Sequence, residues 1–157
     1  MSPVQLRRPA DLIRHRGSAA LLDEICREDG GSLEARLTVR PGTAYSDRAG
    51  NLPAWAGPEL MAQAISALSG LRSLREHDRP AAIGLLLGVR SYRSAVEEFR
   101  SGEVLDVEVI ESSVDEDGMA VFDGSIRRSG EVIASGVLTV FQPADDSFLE
   151  RESERNV

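Results

Sequence analysis

The segment Leu52-Pro53-Ala54-Trp55-Ala56-Gly57-Pro58-Glu59-Leu60-Met61-Ala62-Gln63-Ala64 puts a carboxylate at the start of a helical pattern. That placement has chemical meaning. The first backbone N–H groups of a helix lack partners within it and lie at the positive end of its dipole. A carboxylic acid there can transfer a proton, while N–H groups around Gly57 and Leu60 can hold negative charge developing on an oxygen. Gln63 follows one turn after Glu59 and shares its face, so it is placed to orient the carboxylate. Each residue also has a plainer reading. Glu59 can be a helix-end glutamate that the dipole stabilises by about 0.3–1 kcal/mol, and Gln63 a buried structural hydrogen-bonder. Trp55, the sole tryptophan, either lines a ligand tunnel or a partner contact, or anchors the chain as it turns into the helix.

The chemistry elsewhere in the chain is sparse. His15, His77 and Cys26 are too few and too scattered for a zinc site, and a single cysteine forms no internal disulfide. No metal, redox group or other cofactor is suggested. His15 reads as structural, and His77 suits the negative end of the helix. A net charge of −8 disfavours nonspecific binding to nucleic acid, which needs basic surface. All 18 basic residues are arginine, which suits bidentate phosphate recognition and equally reflects codon usage. No segment approaches the roughly 20 apolar residues that a membrane span requires, and the opening MSPVQLRRPA has no apolar run. The reading is a soluble, cytoplasmic protein.

The elements that must position Glu59 follow from periodicity. A chain of 157 residues suits one domain, expected over residues 1–143, with 144–157 a charged, disordered tail. Residues 9–14 suggest a helical turn, and 19–26 a first strand ended by Asp29-Gly30-Gly31. Leu33, Ala35, Leu37 and Val39 alternate with polar residues, which predicts a half-buried strand. Residues 41–57, with three Gly and two Pro, read as a long ordered loop. From Pro58 to about Glu76, Leu60, Ala64, Leu68 and Leu71 follow helical spacing, and Ala62, Ala64, Ser66, Ala67, Ser69 and Gly70 keep the helix small-sided. Four strands are predicted after it, at 83–94, 103–112, 119–127 and 131–141, the last two joined through Gly130. The class is α+β, an antiparallel sheet of about six strands with one long central helix.

That order resembles the hot-dog fold, and within it the bacterial 3-hydroxyacyl-ACP dehydratases. Glu59-Leu60-Met61-Ala62-Gln63 is similar to the family's helix-opening motif. His15-Arg16 before Leu21-Leu22-Asp23-Glu24-Ile25 is similar to its N-terminal segment, and Gly88 to Arg93 followed by Ser101-Gly102-Glu103 to its third strand and turn. Pro53-Ala54-Trp55 narrows the resemblance to the dehydratase-like proteins of aryl-polyene pigment clusters.

The resemblance implies elimination of water from a 3-hydroxyacyl thioester to give a trans-2-enoyl thioester. That reaction needs a base for the α-proton, an acid for the departing hydroxyl, and stabilisation of charge on the thioester oxygen. Glu59 matches the family's catalytic carboxylate. Its partner there is a loop histidine, and counting fourteen residues back from Glu59 reaches Tyr45, followed by Ser46-Asp47-Arg48. The histidine is absent. Tyr45 is a candidate hydrogen-bond donor but, with an ordinary pKa of about 10, a poor base. Asp47 is a candidate base or a turn residue. By the same resemblance Trp55, Gly57, Leu60 and Gln63 are candidates for substrate binding.

Enzymes of this type are dimers whose sites take the loop histidine from one protomer and the helix carboxylate from the other. A homodimer of this chain lacks the histidine in both sites, whereas a heterodimer with a related hot-dog subunit completes one. Three readings result: a dehydratase, alone or composite; a hot-dog thioesterase using Glu59 to activate water; and a noncatalytic subunit that binds an acyl carrier protein or stabilises its partner. An acidic carrier would need a local basic patch, with Arg72, Arg75, Arg79, Arg90 and Arg93 as candidates.

Overall fold

A computed structural model describes Pro9, Leu12, residues 17–77 and residues 85–142. His15, Arg79, the His77 side chain and the tail 144–157 lie outside the described residues. Among the described residues, eight strands and one long helix follow in the order β1 (Glu24–Glu28), β2 (Ser32–Thr38), β3 (Leu52–Pro53), α1 (Gly57–His77), β4 (Leu85–Ser94), β5 (Glu98–Phe99), β6 (Val104–Val114), β7 (Met119–Arg128) and β8 (Glu131–Phe141). The main sheet has six strands in the order β1-β2-β6-β7-β8-β4, every neighbouring pair antiparallel. The predicted α+β hot-dog architecture is therefore the observed one. No helix among the described residues is long and apolar enough to cross a membrane.

Two-residue alternation makes one face of the sheet apolar. Ala35, Val107, Ile126 and Ala134 stand opposite one another across four strands, all buried. On the outer face the same alternation lines up charges, so that Arg36 meets Asp106 at 2.8 Å and Arg27 meets Glu108 at 2.8 Å. Such exposed pairs contribute about 0–1 kcal/mol each, so the inner face carries the stability. The β7–β8 turn is tighter than predicted. Both Ser129 (φ 51°) and Gly130 (φ 81°) take the left-handed conformation, as a two-residue hairpin turn that matches strand twist requires.

The sheet wraps α1, which packs against β2, β4, β6, β7 and β8. Gln63, Ala64, Ile65, Ala67, Leu68, Ser69 and Leu71 are all buried, so this helix is covered nearly all round. Small residues allow that closeness. Gly124 and Gly136 face each other across β7 and β8, and a Cβ built on Gly124 would lie 2.6 Å from the Met61 sulfur.

Two sequence expectations need correction. Residues 17–19 form a 3-10 turn and the first strand begins only at Glu24, because the backbone before it is drawn to the helix. The loop 41–57 contains a strand, Leu52–Pro53, paired with Glu98–Phe99, and a 3-10 turn at Ala54–Ala56. A two-residue strand has no periodicity from which to be read.

Ala64 touches the wrapped sheet on a fully buried face. Ala64→Leu should therefore overpack the interface and lower unfolding stability by about 1–3 kcal/mol, read from urea denaturation. An unchanged midpoint would mean that the sheet has slack around the helix.

Candidate active site

Gln63 is fully buried and bonds the strip 19–21 to Glu59 at the helix start. The Leu21 N–H donates to Oε1 at 2.9 Å, while Nε2 donates to the Ala19 carbonyl at 2.8 Å and to Glu59 Oε1 at 3.0 Å. The backbone settles which end of the amide is which, since Leu21 offers only a donor and Ala19 only an acceptor. The NH₂ end must then face Glu59, and one carboxylate oxygen is fixed. The strip 17–21 is also tied from its other side. The Ala44 N–H donates to the Ser18 carbonyl at 2.8 Å, and Arg40 donates to the Ala20 carbonyl at 3.2 Å and to Asp23 at 3.0 Å. Loop, strip and helix start thus form one bonded unit.

Tyr45 stands on that loop, half-buried, its ring edge-on to Trp55 with centroids 6.1 Å apart. Burial, and then the Glu59 charge, push its phenol pKa up. At neutral pH it is a donor and not a base. The Glu59 charge therefore acts on Tyr45 within one chain. Asp47 is exposed, and its Oδ1 accepts the Ala49 and Asn51 N–H groups, both at 2.9 Å. It takes the turn-forming alternative.

The 3-10 turn at Ala54–Ala56 leads directly into α1. Trp55 projects from it, 69% exposed, so it is not a core anchor within this chain. The Gly57 N–H, expected as a donor to a ligand, is engaged with the Ala54 carbonyl. The Leu60 side chain is fully buried in the core, which leaves only its backbone amide to meet a ligand.

Tyr92 was not among the predicted site residues, yet it lies against this turn. Its hydroxyl donates to the Ala54 carbonyl at 2.5 Å, and a Cβ built on Gly57 would collide with that hydroxyl. Regular alternation would put Tyr92 on the outer face with Arg90. A bulge between Arg90 and Arg93, with Ser91 at φ 54°, turns it inward instead. No residue in 90–93 signals that bulge, which is why the sequence reading missed it.

Of the predicted basic patch, Arg72 is bonded to the Gly30 carbonyl and to Glu111, and Arg75 to Glu28. Arg90 and Arg93 are exposed on β4, an edge strand of the main sheet, opposite Val137 and Ser135.

Comparison with known proteins relates the chain as a whole to others of known structure. A structure of the dehydratase heterocomplex ApeI:P from Xenorhabdus doucetiae is similar at 28% identity and a TM-score of 0.83, covering 92% of this chain and 96% of that one. A thioesterase-type hypothetical protein from Streptococcus pneumoniae TIGR4, solved with coenzyme A, matches at 20% identity and a TM-score of 0.56 over 77% of this chain and 88% of that one. The phenylacetic acid degradation protein PaaI from Thermus thermophilus, solved in a mutant form, matches at 16% identity and a TM-score of 0.55 over 75% of this chain and 90% of that one. The latter two share the fold alone. No match was found among curated protein sequences. The ApeP-like family, described as ApeP dehydratase, matches residues 7–150. With nearly its whole length covered, and with the helix-start carboxylate held as described, the chain belongs to the ApeP-like dehydratase family.

Proposed function

We propose that this chain dehydrates a 3-hydroxyacyl thioester carried on an acyl carrier protein in aryl-polyene biosynthesis, within a heterodimer whose second hot-dog subunit supplies the base. The observation that carries this reading is the similarity along nearly the whole chain to a dehydratase heterocomplex. The site chemistry supports it. With Glu59 Oε1 held by Gln63, Glu59 in its protonated form gives its proton to the leaving hydroxyl and is left as the carboxylate. The partner's histidine removes the C2 proton, the C2–C3 double bond forms, the C3–O bond breaks, and water and the enoyl thioester result. Tyr45, kept protonated, serves as a donor beside the carboxylate. Trp55, Leu86 and Leu87 are exposed apolar side chains that a partner could cover, and the β4 edge offers it unpaired backbone groups. Exposed Arg90 and Arg93 on the same strand suit an acidic carrier.

The noncatalytic reading is favoured by one observation: the loop position holds a tyrosine that cannot act as a base at neutral pH. Glu59→Gln discriminates. In the complex obtained by co-purification with a hot-dog subunit that retains the histidine, Glu59→Gln should lower dehydration about 10²–10⁴-fold, measured by mass spectrometry of the carrier-bound product. Unchanged turnover would make the chain a noncatalytic subunit, and free thiol release would make it a thioesterase.

Gln63→Ala should strand the Leu21 N–H and Ala19 carbonyl, at about 1–3 kcal/mol for each group left unpaired, and slow turnover as well. Denaturation and steady-state kinetics read the two effects separately. Reversing charge with Arg90→Glu and Arg93→Glu together should raise KM for the carrier-borne substrate and leave a short pantetheine thioester unaffected. Equal effects on both substrates would rule out carrier docking there.

A further inference from the structure

The geometry points to Tyr92 as a positioning residue that releases the Gly57 N–H to the thioester oxygen, by keeping the Ala54 carbonyl hydrogen-bonded when that N–H leaves it. This rests on the proposed dehydratase site and adds to it a residue outside the helix-start motif.

The Ala54 carbonyl accepts two hydrogen bonds, one from the Gly57 N–H and one from the Tyr92 hydroxyl. A carbonyl oxygen has two lone pairs, so both bonds are made in full. Either donor can leave without orphaning the oxygen, because the other remains. Without Tyr92, turning the Gly57 N–H toward a ligand would strip this partly buried carbonyl of its bond, and much of the gain at the thioester would be cancelled. The Ala54 N–H is fixed separately to the Glu97 carbonyl at 2.9 Å, so the turn keeps its place while one N–H changes partner.

Several independent features put the hydroxyl there. The β4 bulge turns the ring inward. Gly136 leaves room on one side, where a Cβ would lie 3.3 Å from the ring, and Gly57 leaves room at the hydroxyl. Gly57 has an ordinary helical φ of −54°, so its backbone does not call for glycine; the space taken by Tyr92 does. Burial raises the Tyr92 pKa, which keeps the phenol a donor at neutral pH.

The test is Tyr92→Phe in the co-purified complex, beside Glu59→Gln, with kcat, KM, melting temperature and Trp55 emission recorded for each. The ring stays and only the donor is lost. The expected result is a kcat about 10–100-fold lower, with KM within about twofold, as for an interaction made only in the transition state, and with melting temperature and Trp55 emission unchanged. Unchanged kcat would overturn the role of Tyr92. So would a rise in KM alone, or a loss of kcat together with a lower melting temperature or shifted Trp55 emission, since the hydroxyl would then merely hold the turn. If Glu59→Gln slows the reaction and Tyr92→Phe does not, the positioning role fails and the dehydratase reading stands. If Glu59→Gln has no effect, the reading fails and the role of Tyr92 fails with it.

Discussion

A single buried amide, that of Gln63, holds the helix start in register with everything around it. Burial without bonds would make this side chain a liability, because an unpaired amide in the core costs more than a hydrogen bond returns. Its bonds to Leu21, Ala19 and Glu59 remove that liability. They also explain why the first strand starts late. Residues 19 and 21 have polar backbone groups facing Gln63, and a strip bonded to a helix side chain is not available to a sheet.

Closeness between helix and sheet is the second constraint. A sheet that wraps a helix on nearly every side must approach its backbone, and side chains larger than Ala on the inner positions would push the layers apart. Ala64, Ala67 and Gly124 meet that need. The space left at Gly136 and Gly57 is taken by the ring and hydroxyl of Tyr92, which links an edge strand to the turn that opens the helix.

The electrostatics of the site centre on Glu59 and Tyr45. Glu59 and Tyr45 lie within reach of one another, and the carboxylate's charge adds to burial in keeping the phenol protonated. A neutral phenol can donate a hydrogen bond but cannot take an α-proton at neutral pH. The loop position that holds Tyr45 therefore supplies no base.

Much of this was legible in the residues themselves. The alternation in Leu33–Val39, the helical spacing from Leu60 to Leu71 and the turn at Gly130 predict elements that the structure contains. Those are local patterns, set by which side chains must leave water, and they need no knowledge of neighbours. The order of elements and the Glu59-to-Gln63 motif carried the family, and the count back to Tyr45 carried the missing histidine. What only the tertiary structure decided is where polar groups are satisfied. Asp47 closes a turn, the Gly57 N–H is engaged with Ala54, Arg72 and Arg75 are bonded, and Tyr92 faces inward across a bulge. Each depends on a group distant in sequence or on a one-residue slip in register, and a slip of one residue exchanges the two faces of a strand without changing a letter of the sequence.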